Sequence, residues 1–402
     1  MLSYQEAVEV VLQTVQPLPP VKMALPEALG RVLAEPAVAR WDLPPADNSA
    51  MDGYAFAWNR QGEGSELEVV GFVPAGSYLE EPVPPGRAVR IMTGAPLPAG
   101  CDTVVPVEEV AEEAARIRII RPPRAGQHVR RRGEELGRGE ALLDTGMPLH
   151  AGEMGLLAAA GIEQVKIYPA PRVALLSTGD ELVELGEVPG PGQIVNSNFH
   201  LLAARLKEEG SSVIPLGVAR DNEYDLAERV GRGLQADMLI STGGVSVGDR
   251  DYVQETLRAF GFQLGFWQVS IKPGKPVLFG TVKGRPVFGL PGNPAAAAAT
   301  FELFVRPALR RLAGFSGLLQ PRLRATLTAG IDGGEKRQRF IWGSLLEREG
   351  RFEFTPSSRQ GSGQNRSLQG VQALLPVAGG HSGLAAGAEV EIMLVRLPPG
   401  HA

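Results

Sequence analysis

Ala7, Val8, Val11, Leu12 and Val15 recur with a helical period and share one face. Ser3 and Glu6 ahead of them form an S-x-x-E capping box, so the pattern predicts a helix over 3–15 that the PLPP stretch at 17–20 ends. The segment PEALGRVLAEPAVA (26–39) predicts a short helix running into an extended piece, and WDLPPADNSAMDGYA (41–55) a long polar turn. From about 52 to 137 the pattern shifts to short β-like runs broken by Gly and Pro, such as LEVVGFVPAG, DTVVPVEEV and RIRIIRPP. EMGLLAAAGI (153–162) again reads as a helix.

Between 171 and 314 strand-like and helix-like segments alternate. RVALLS, SSVIPLGVA and ADMLIS read as strands, each followed by a helix: NSNFHLLAARLKEEG, YDLAERVGRGLQ and DYVQETLRAFG. FQLGFWQVS, KPVLFGTV and RPVFGL are further strands, and a closing helix opens at Asn293-Pro294. Such alternation predicts an open α/β sheet, mostly parallel, with helices on both faces. β-like runs return after 322 and predict a small C-terminal β-barrel. The expected fold is multidomain α/β plus β: a central open α/β sheet, a small β-rich domain, a linking region and the barrel.

Composition changes this picture little. At 402 residues, with 44% hydrophobic and 21% charged positions, the chain is ordinary globular protein. A net charge of −5 gives no footprint for nucleic acid. The single cysteine, Cys101, excludes a disulfide framework and a cysteine-cluster metal site, and five scattered histidines suggest neither a zinc site nor a Ser-His-Asp triad. The charged start MLSYQEAVEV has no signal core, and no apolar run approaches the ~20 residues of a membrane span; a cytoplasmic protein without membrane contact is expected.

Chemistry collects at the strand ends. STGDEL places Asp180 and Glu181 after the first strand, ARDN places Asp221 after the second, and TGGVSVGDRD places Gly243, Gly244, Ser246, Asp249 and Asp251 after the third. KPGKP, with Lys272 and Lys275, follows the WQVS strand. In a parallel sheet these ends share one edge, where ligands bind. The helix start at LPGNP, with Pro291, Asn293 and Pro294, is expected to add backbone N–H groups for an anion. Singly, each piece has a bland reading: an aspartate as helix cap, KPGKP as a plain turn. Together, acids beside an anion cradle make sense when a divalent cation lies between them, which points to phosphoryl, pyrophosphate or nucleotidyl chemistry. A second cluster lies elsewhere: Asp47 and Asp52, Thr93, the triplet Arg130, Arg131 and Arg132, and the serine loop SSRQGSGQNRS containing Ser362.

DNSAMDGYA, IMTGAPLPAGCDTVV, RRRGEEL, LLSTGDEL, STGGVSVGDRDY, IKPGKP and GLPGNP, in this order, resemble the molybdopterin molybdotransferase family, the MoeA group that includes the E domain of gephyrin. The resemblance implies a transferase of molybdenum cofactor biosynthesis that cleaves adenylylated molybdopterin with Mg²⁺ and inserts molybdate. It implies four domains: 1–20 with 171–321 (α/β, molybdopterin-binding type), 21–50 with 138–170 (linking), 51–137 (β-rich) and 322–402 (barrel). It also implies an elongated homodimer with the active site at the subunit interface, and transient contact with other enzymes of cofactor synthesis. By that resemblance Asp52, Glu181, Asp221, Asp251, Lys272 and Lys275 are catalytic candidates, with Asp221 and Asp251 at the metal. Thr93, Arg130, Gly243, Gly244, Ser246, Pro291, Asn293, Pro294 and Ser362 are substrate-binding candidates, Arg130 and Ser362 for molybdate or phosphate across the interface. Whether Asp52 and Glu181 act as acid/base or as metal-positioning groups stays open. One departure stands out: Trp342 occupies a position where relatives often carry arginine, leaving Arg337 and Arg339 as substitutes. Rival readings are a molybdopterin adenylyltransferase, a nucleotide hydrolase on the same α/β unit, and a pterin-binding scaffold.

Overall fold

The computed structural model describes residues 1–220, 222–244 and 252–398; Asp221, Ser246, Asp249 and Asp251 lie outside the described residues. Helix α1 (Tyr4–Thr14) starts at the capping box, with the Ser3 backbone N–H donating to Glu6 Oε2 at 2.8 Å. Its buried face, Tyr4, Ala7, Val8 and Val11, packs into the same apolar core as Val173, Leu175, Phe304 and Leu309.

Of the short helix expected to open the 26–39 segment only one turn forms, while the extended piece expected after it is present as the short strands Val32–Leu33 and Ala37–Val38. One 3₁₀ turn, Leu25–Glu27, is followed by Gly30 at φ +73° and by the short strand Val32–Leu33. That strand pairs with Gln164–Tyr168, which also pairs with Val21–Ala24. A partner some 130 residues away overrides local helix propensity, about 1 kcal/mol per residue at most for non-proline residues. Helix α2 (Ala151–Ala159) covers this small sheet through Leu157, which packs with Leu25, Leu33 and Ile167.

Residues 53–119 form a six-stranded sheet ordered Thr103–Pro106, Gly53–Phe56, Arg87–Ile91, Glu66–Val73, Arg116–Ile119 and Val110–Glu113. Alternation sends Tyr54 and Phe56 into one apolar cluster and Ala55 into another.

The α/β sheet runs Ser212–Ala219, Arg172–Thr178, Met238–Thr242, Arg285–Leu290, Leu278–Val282 and Gln263–Trp267. The first four strands are parallel and the last two pairings antiparallel. Helices α3 (Ser197–Glu208) and α4 (Glu223–Gly233) connect parallel strands, and α5 (Tyr252–Ala259) leads to the edge strand Gln263–Trp267. Helix α6 (Pro294–Thr300) passes through a π-helical turn, Phe301–Val305, into α7 (Arg306–Leu312). Val173, Leu175 and Ile240 face one core, and Ala174, Leu176 and Leu239 face the other. A sheet buried on both faces explains why these strands read as continuous apolar runs. The order reverses between Arg172–Thr178 and Met238–Thr242, which opens a crevice at their carboxyl ends.

Five C-terminal strands close into a barrel: Gln338–Arg348, Arg351–Pro356, Arg322–Leu327, Glu389–Leu394 and Ala373–Val377, the last pairing back to the first. Phe354, Leu327, Leu375 and Ile392 fill it. Beside it, Glu302 of the π turn is 1% exposed and ion-paired to Arg205 and Arg306. Among the described residues, no helix is long and apolar enough to cross a membrane.

Candidate active site

A cavity of about 430 Å³ opens at the topological switch point, lined by Thr178, Glu181, Asn196, Asn198, Gly243 and Asn293 among others. Thr178 and Thr242 end adjacent strands and form its floor, with Thr178 Oγ1 donating to Thr242 O at 3.3 Å. The following turn hugs that floor. Gly243 sits at φ +84°, its N–H donates to Leu290 O at 3.2 Å, and a Cβ there would stand 2.4 Å from Thr178 O. Gly244 lies beside it at φ +63°.

Asn196 and Asn198, which sequence patterns left as the start of a helix, are wall residues. Asn196 caps α3: its Oδ1 accepts from the Phe199 N–H at 3.3 Å and from Ser177 Oγ at 3.1 Å. Asn198 Nδ2 donates to Gly292 O at 2.7 Å. The remaining amide atoms, Asn196 Nδ2 and Asn198 Oδ1, are buried without a partner among the described residues. Orphaned buried polar atoms on a cavity wall are where a polar ligand or water completes the bonding. The signal available in the sequence was N-S-N at a strand-to-helix junction, which capping alone accounts for only at Asn196.

The α6 start differs from expectation. Pro294 has no N–H, the Ala295 N–H donates to Ser362 O at 3.0 Å, and the Ala296 and Ala297 N–H groups donate to Asn293 O. Its first-turn donors are therefore used internally, leaving the helix dipole for a ligand. Asn293 Nδ2 donates to Ser362 Oγ at 3.3 Å instead of capping the helix. Ser362 thus reaches this mouth within its own chain, where Gly363 and Asn365 complete the wall. Pro291 is buried.

Neither lysine of KPGKP lines the cavity. Ile271–Lys272 leaves the α/β sheet and pairs in parallel with Gln338 and Arg339 at the barrel's edge. Lys272 Nζ contacts Glu335 Oε2 at 2.6 Å. The substitute arginines are engaged: Arg337 donates to Ile271 O at 3.2 Å, and Arg339 to Asp332 O. Trp342 is buried, its Nε1 donating to Ala295 O at 3.4 Å.

The second cluster is a separate place. Asp52 Oδ1 accepts from both the Thr93 N–H and Oγ1, each at 2.7 Å. These two donors, the backbone one first, hold the Asp52 carboxyl below the usual carboxylate range. Asp52 borders its own cavity of about 400 Å³ with Phe72, Arg90 and Met92. The arginine triplet divides: Arg131 pairs with Asp47 at 2.6 Å and Arg132 with Asp42 at 2.5 Å, structural ties that leave Arg130 exposed. Among the described residues, none from 51–137 lines the switch-point cavity of the same chain.

The glycine turn and the orphaned amides suit a polar, anionic ligand. Residues 2–161 match the MoeA N-terminal region (domains I and II), 174–311 a probable molybdopterin binding domain, and 324–395 the MoeA C-terminal region (domain IV). A molybdopterin molybdenumtransferase of Nostoc sp. is 40% identical over 384 residues, 92% of this chain and 87% of the relative. One from Haemophilus influenzae is 40% identical over 292 residues, 72% of each chain. A crystal structure of a molybdopterin biosynthesis MoeA protein from Pyrococcus horikoshii is similar at TM-score 0.85 and 30% identity, covering 99% of this chain and 100% of that one.

Proposed function

The chain belongs to the MoeA family, as a transferase of molybdenum cofactor biosynthesis, and on that premise we propose that it cleaves adenylylated molybdopterin with Mg²⁺ and inserts molybdate. The observation that carries this reading is the switch-point cavity with its orphaned Asn196 Nδ2 and Asn198 Oδ1. Asn196 Nδ2 donates to a ligand oxygen, and the Gly243–Gly244 turn lets such an oxygen approach the backbone closely. Asn293, held by Ser362, presents the positive end of α6 to the same anion.

Mg²⁺ takes oxygen ligands and keeps several waters, using one or two carboxylates plus ligand phosphates. Glu181 and the unpartnered Asn198 Oδ1 fit that donor type on one cavity. Asp221 and Asp251, outside the described residues, remain the sequence candidates beside them. When bound, the cation neutralises charge developing on a phosphate leaving group. The chain's own residues orient the pyrophosphate against the floor of Thr178 and Thr242 and exclude bulk water.

A homodimer is part of the proposal. Asp52 and Thr93 lie off the cavity of their own chain, so a second subunit is the natural source of those groups.

The test combines purified protein, adenylylated molybdopterin, Mg²⁺ and molybdate. Molybdate-dependent AMP release with formation of active cofactor is expected, and chelation of Mg²⁺ stops it. Tight pterin binding without AMP release would sink the reaction and leave a scaffold; AMP release from generic nucleotides would indicate a hydrolase. In the same assay, mixed Asp52→Ala and Glu181→Ala chains recover activity if the site is shared between subunits. No recovery in demonstrated mixed dimers refutes the sharing.

A further inference from the structure

The two lysines of KPGKP are held differently. Lys275 is exposed and has no ion-pair partner among the described residues. Lys272 is already neutralised, its Nζ 2.6 Å from Oε2 of Glu335, 63 residues further along the chain.

This pair is more than two flexible side chains meeting on a surface. Ile271 and Lys272 pair with Gln338 and Arg339, and the Gln338 N–H donates to Ser270 O at 3.3 Å. Arg337 ties its guanidinium to Ile271 O at 3.2 Å and stands 3.6 Å from the other Glu335 oxygen. The Glu335 carbonyl accepts from the Gly380 N–H at 2.8 Å. Its carboxylate is 23% exposed against 54% for Lys272, so the acid is the better-held partner. Backbone bonds on both sides therefore fix a negative group from the C-terminal region against a cationic loop of the α/β unit.

An oxyanion arriving at Lys272 meets that negative charge. Two anions at one ammonium repel each other, and the lysine's hydrogen-bond donors must be shared or surrendered. We propose that Glu335 is an internal counter-anion and positioning residue: it aims Lys272 and is displaced by the substrate's oxyanion, so that the C-terminal region sets the anion affinity of the lysine loop. The inference rests on the sequence expectation that KPGKP serves an anionic substrate group, at a place outside the switch-point cavity, which neither lysine lines. Lys275 then supplies attraction without displacement, and Lys272 responds only to an anion that outcompetes a carboxylate. This makes Glu335 a discriminator by charge, favouring pyrophosphate-like groups over weakly charged ones.

Titration calorimetry with inorganic pyrophosphate tests this on the full chain at fixed ionic strength. Glu335→Gln is expected to tighten binding about two- to fivefold, the span of a partly exposed ion pair. Lys272→Ala weakens binding, and adding Glu335→Gln to that background changes nothing further. With substrate, Glu335→Gln lowers KM without raising kcat, which a purely structural role would not do. If Lys272→Ala weakens binding but Glu335→Gln leaves it unchanged or weaker, the counter-anion role is wrong and the lysine assignment stands. If Lys272→Ala has no effect, the lysine assignment falls, and the counter-anion role with it. Equal tightening by Glu335→Gln in both backgrounds reveals a diffuse charge effect and overturns the proposal. Glu335→Ala, checked with circular dichroism, replaces Glu335→Gln if the latter misfolds.

Discussion

Gly243→Ala probes the turn against which the cavity is built. At φ +84° an alanine occupies left-handed space, which costs about 1–2 kcal/mol. Its Cβ would stand 2.4 Å from Thr178 O, an atom in the backbone of an interior strand that pairs on both sides. Since real Cβ contacts rarely fall below about 3.0 Å, the turn must move by roughly 0.6 Å or more, an overpacking cost of about 1–3 kcal/mol. The combined effect is about 2–5 kcal/mol. Because the turn edges an open cavity, part of that cost is relieved by local displacement, which takes Gly243 out of line with the ligand. Positional errors near 1 Å cost roughly 10²-fold in rate, so a 10- to 100-fold loss in kcat/KM is expected. Urea unfolding and steady-state kinetics together measure both parts. Gly292→Ala is the control: it lies outside the left-handed region, and its Cβ would find only Gly243 Cα, at 3.8 Å. It should change folding stability by less than about 0.5 kcal/mol. Wild-type kinetics and stability for Gly243→Ala, or equal destabilisation by Gly292→Ala, would refute the reasoning.

Two further outcomes follow from buried and bonded carboxylates. Glu302→Ala leaves Arg205 and Arg306 with only their outer partners, Glu208 and Glu209, so the loss is expected below the roughly 3–5 kcal/mol of a fully broken buried pair but above about 1 kcal/mol; a loss below about 1 kcal/mol in chemical denaturation would mean the outer acids and water compensate the arginines. Thr93→Val removes the hydroxyl donor to Asp52, so the carboxyl pKa rises toward its ordinary value near 3.9 but stays below it, because the backbone N–H remains. A depressed carboxyl pKa contributes stability above the unfolded value, lost as pH falls through the folded one, and the variant moves that loss to higher pH. An unchanged Asp52 midpoint in an NMR titration would contradict this.

Short-range chemistry was readable in advance. The Ser3–Glu6 box and the α1 stripe involve residues at most a few turns apart, and the alternating segments of the α/β sheet carry their own punctuation. In 26–39 the extended piece was legible, but the helix before it shrinks to one 3₁₀ turn because the strand partner, Gln164–Tyr168, is remote and invisible to local periodicity. At the site, Gly243 and Glu181 were found because a strand-end turn advertises its place. Asn196 and Asn198 were missed because a helix cap was a sufficient local explanation. The free donors expected at α6 were missed in the opposite sense: Ser362, 67 residues beyond Ala295, consumes one of them. Ion pairs such as Lys272–Glu335 depend on two domains meeting, which composition and spacing do not encode.

Helix α1 has one more consequence, for the order in which this chain acquires its structure during synthesis. Its apolar face is buried against the π turn and α7, and Leu18 N–H donates to Leu312 O at 2.9 Å. Those partners are made about 290 residues later, roughly 15–60 s at ribosomal speeds of about 5–20 residues per second. Throughout that interval the helix lacks this part of its docking surface, while the small β-rich sheet at 53–119 already holds all its strands. The β-rich part can therefore mature on the ribosome, whereas the α/β core must wait for its two ends to meet after most of the chain has emerged. Nascent chains halted near residue 300 should expose α1 to chaperones, and chains extended past Leu312 should withdraw it.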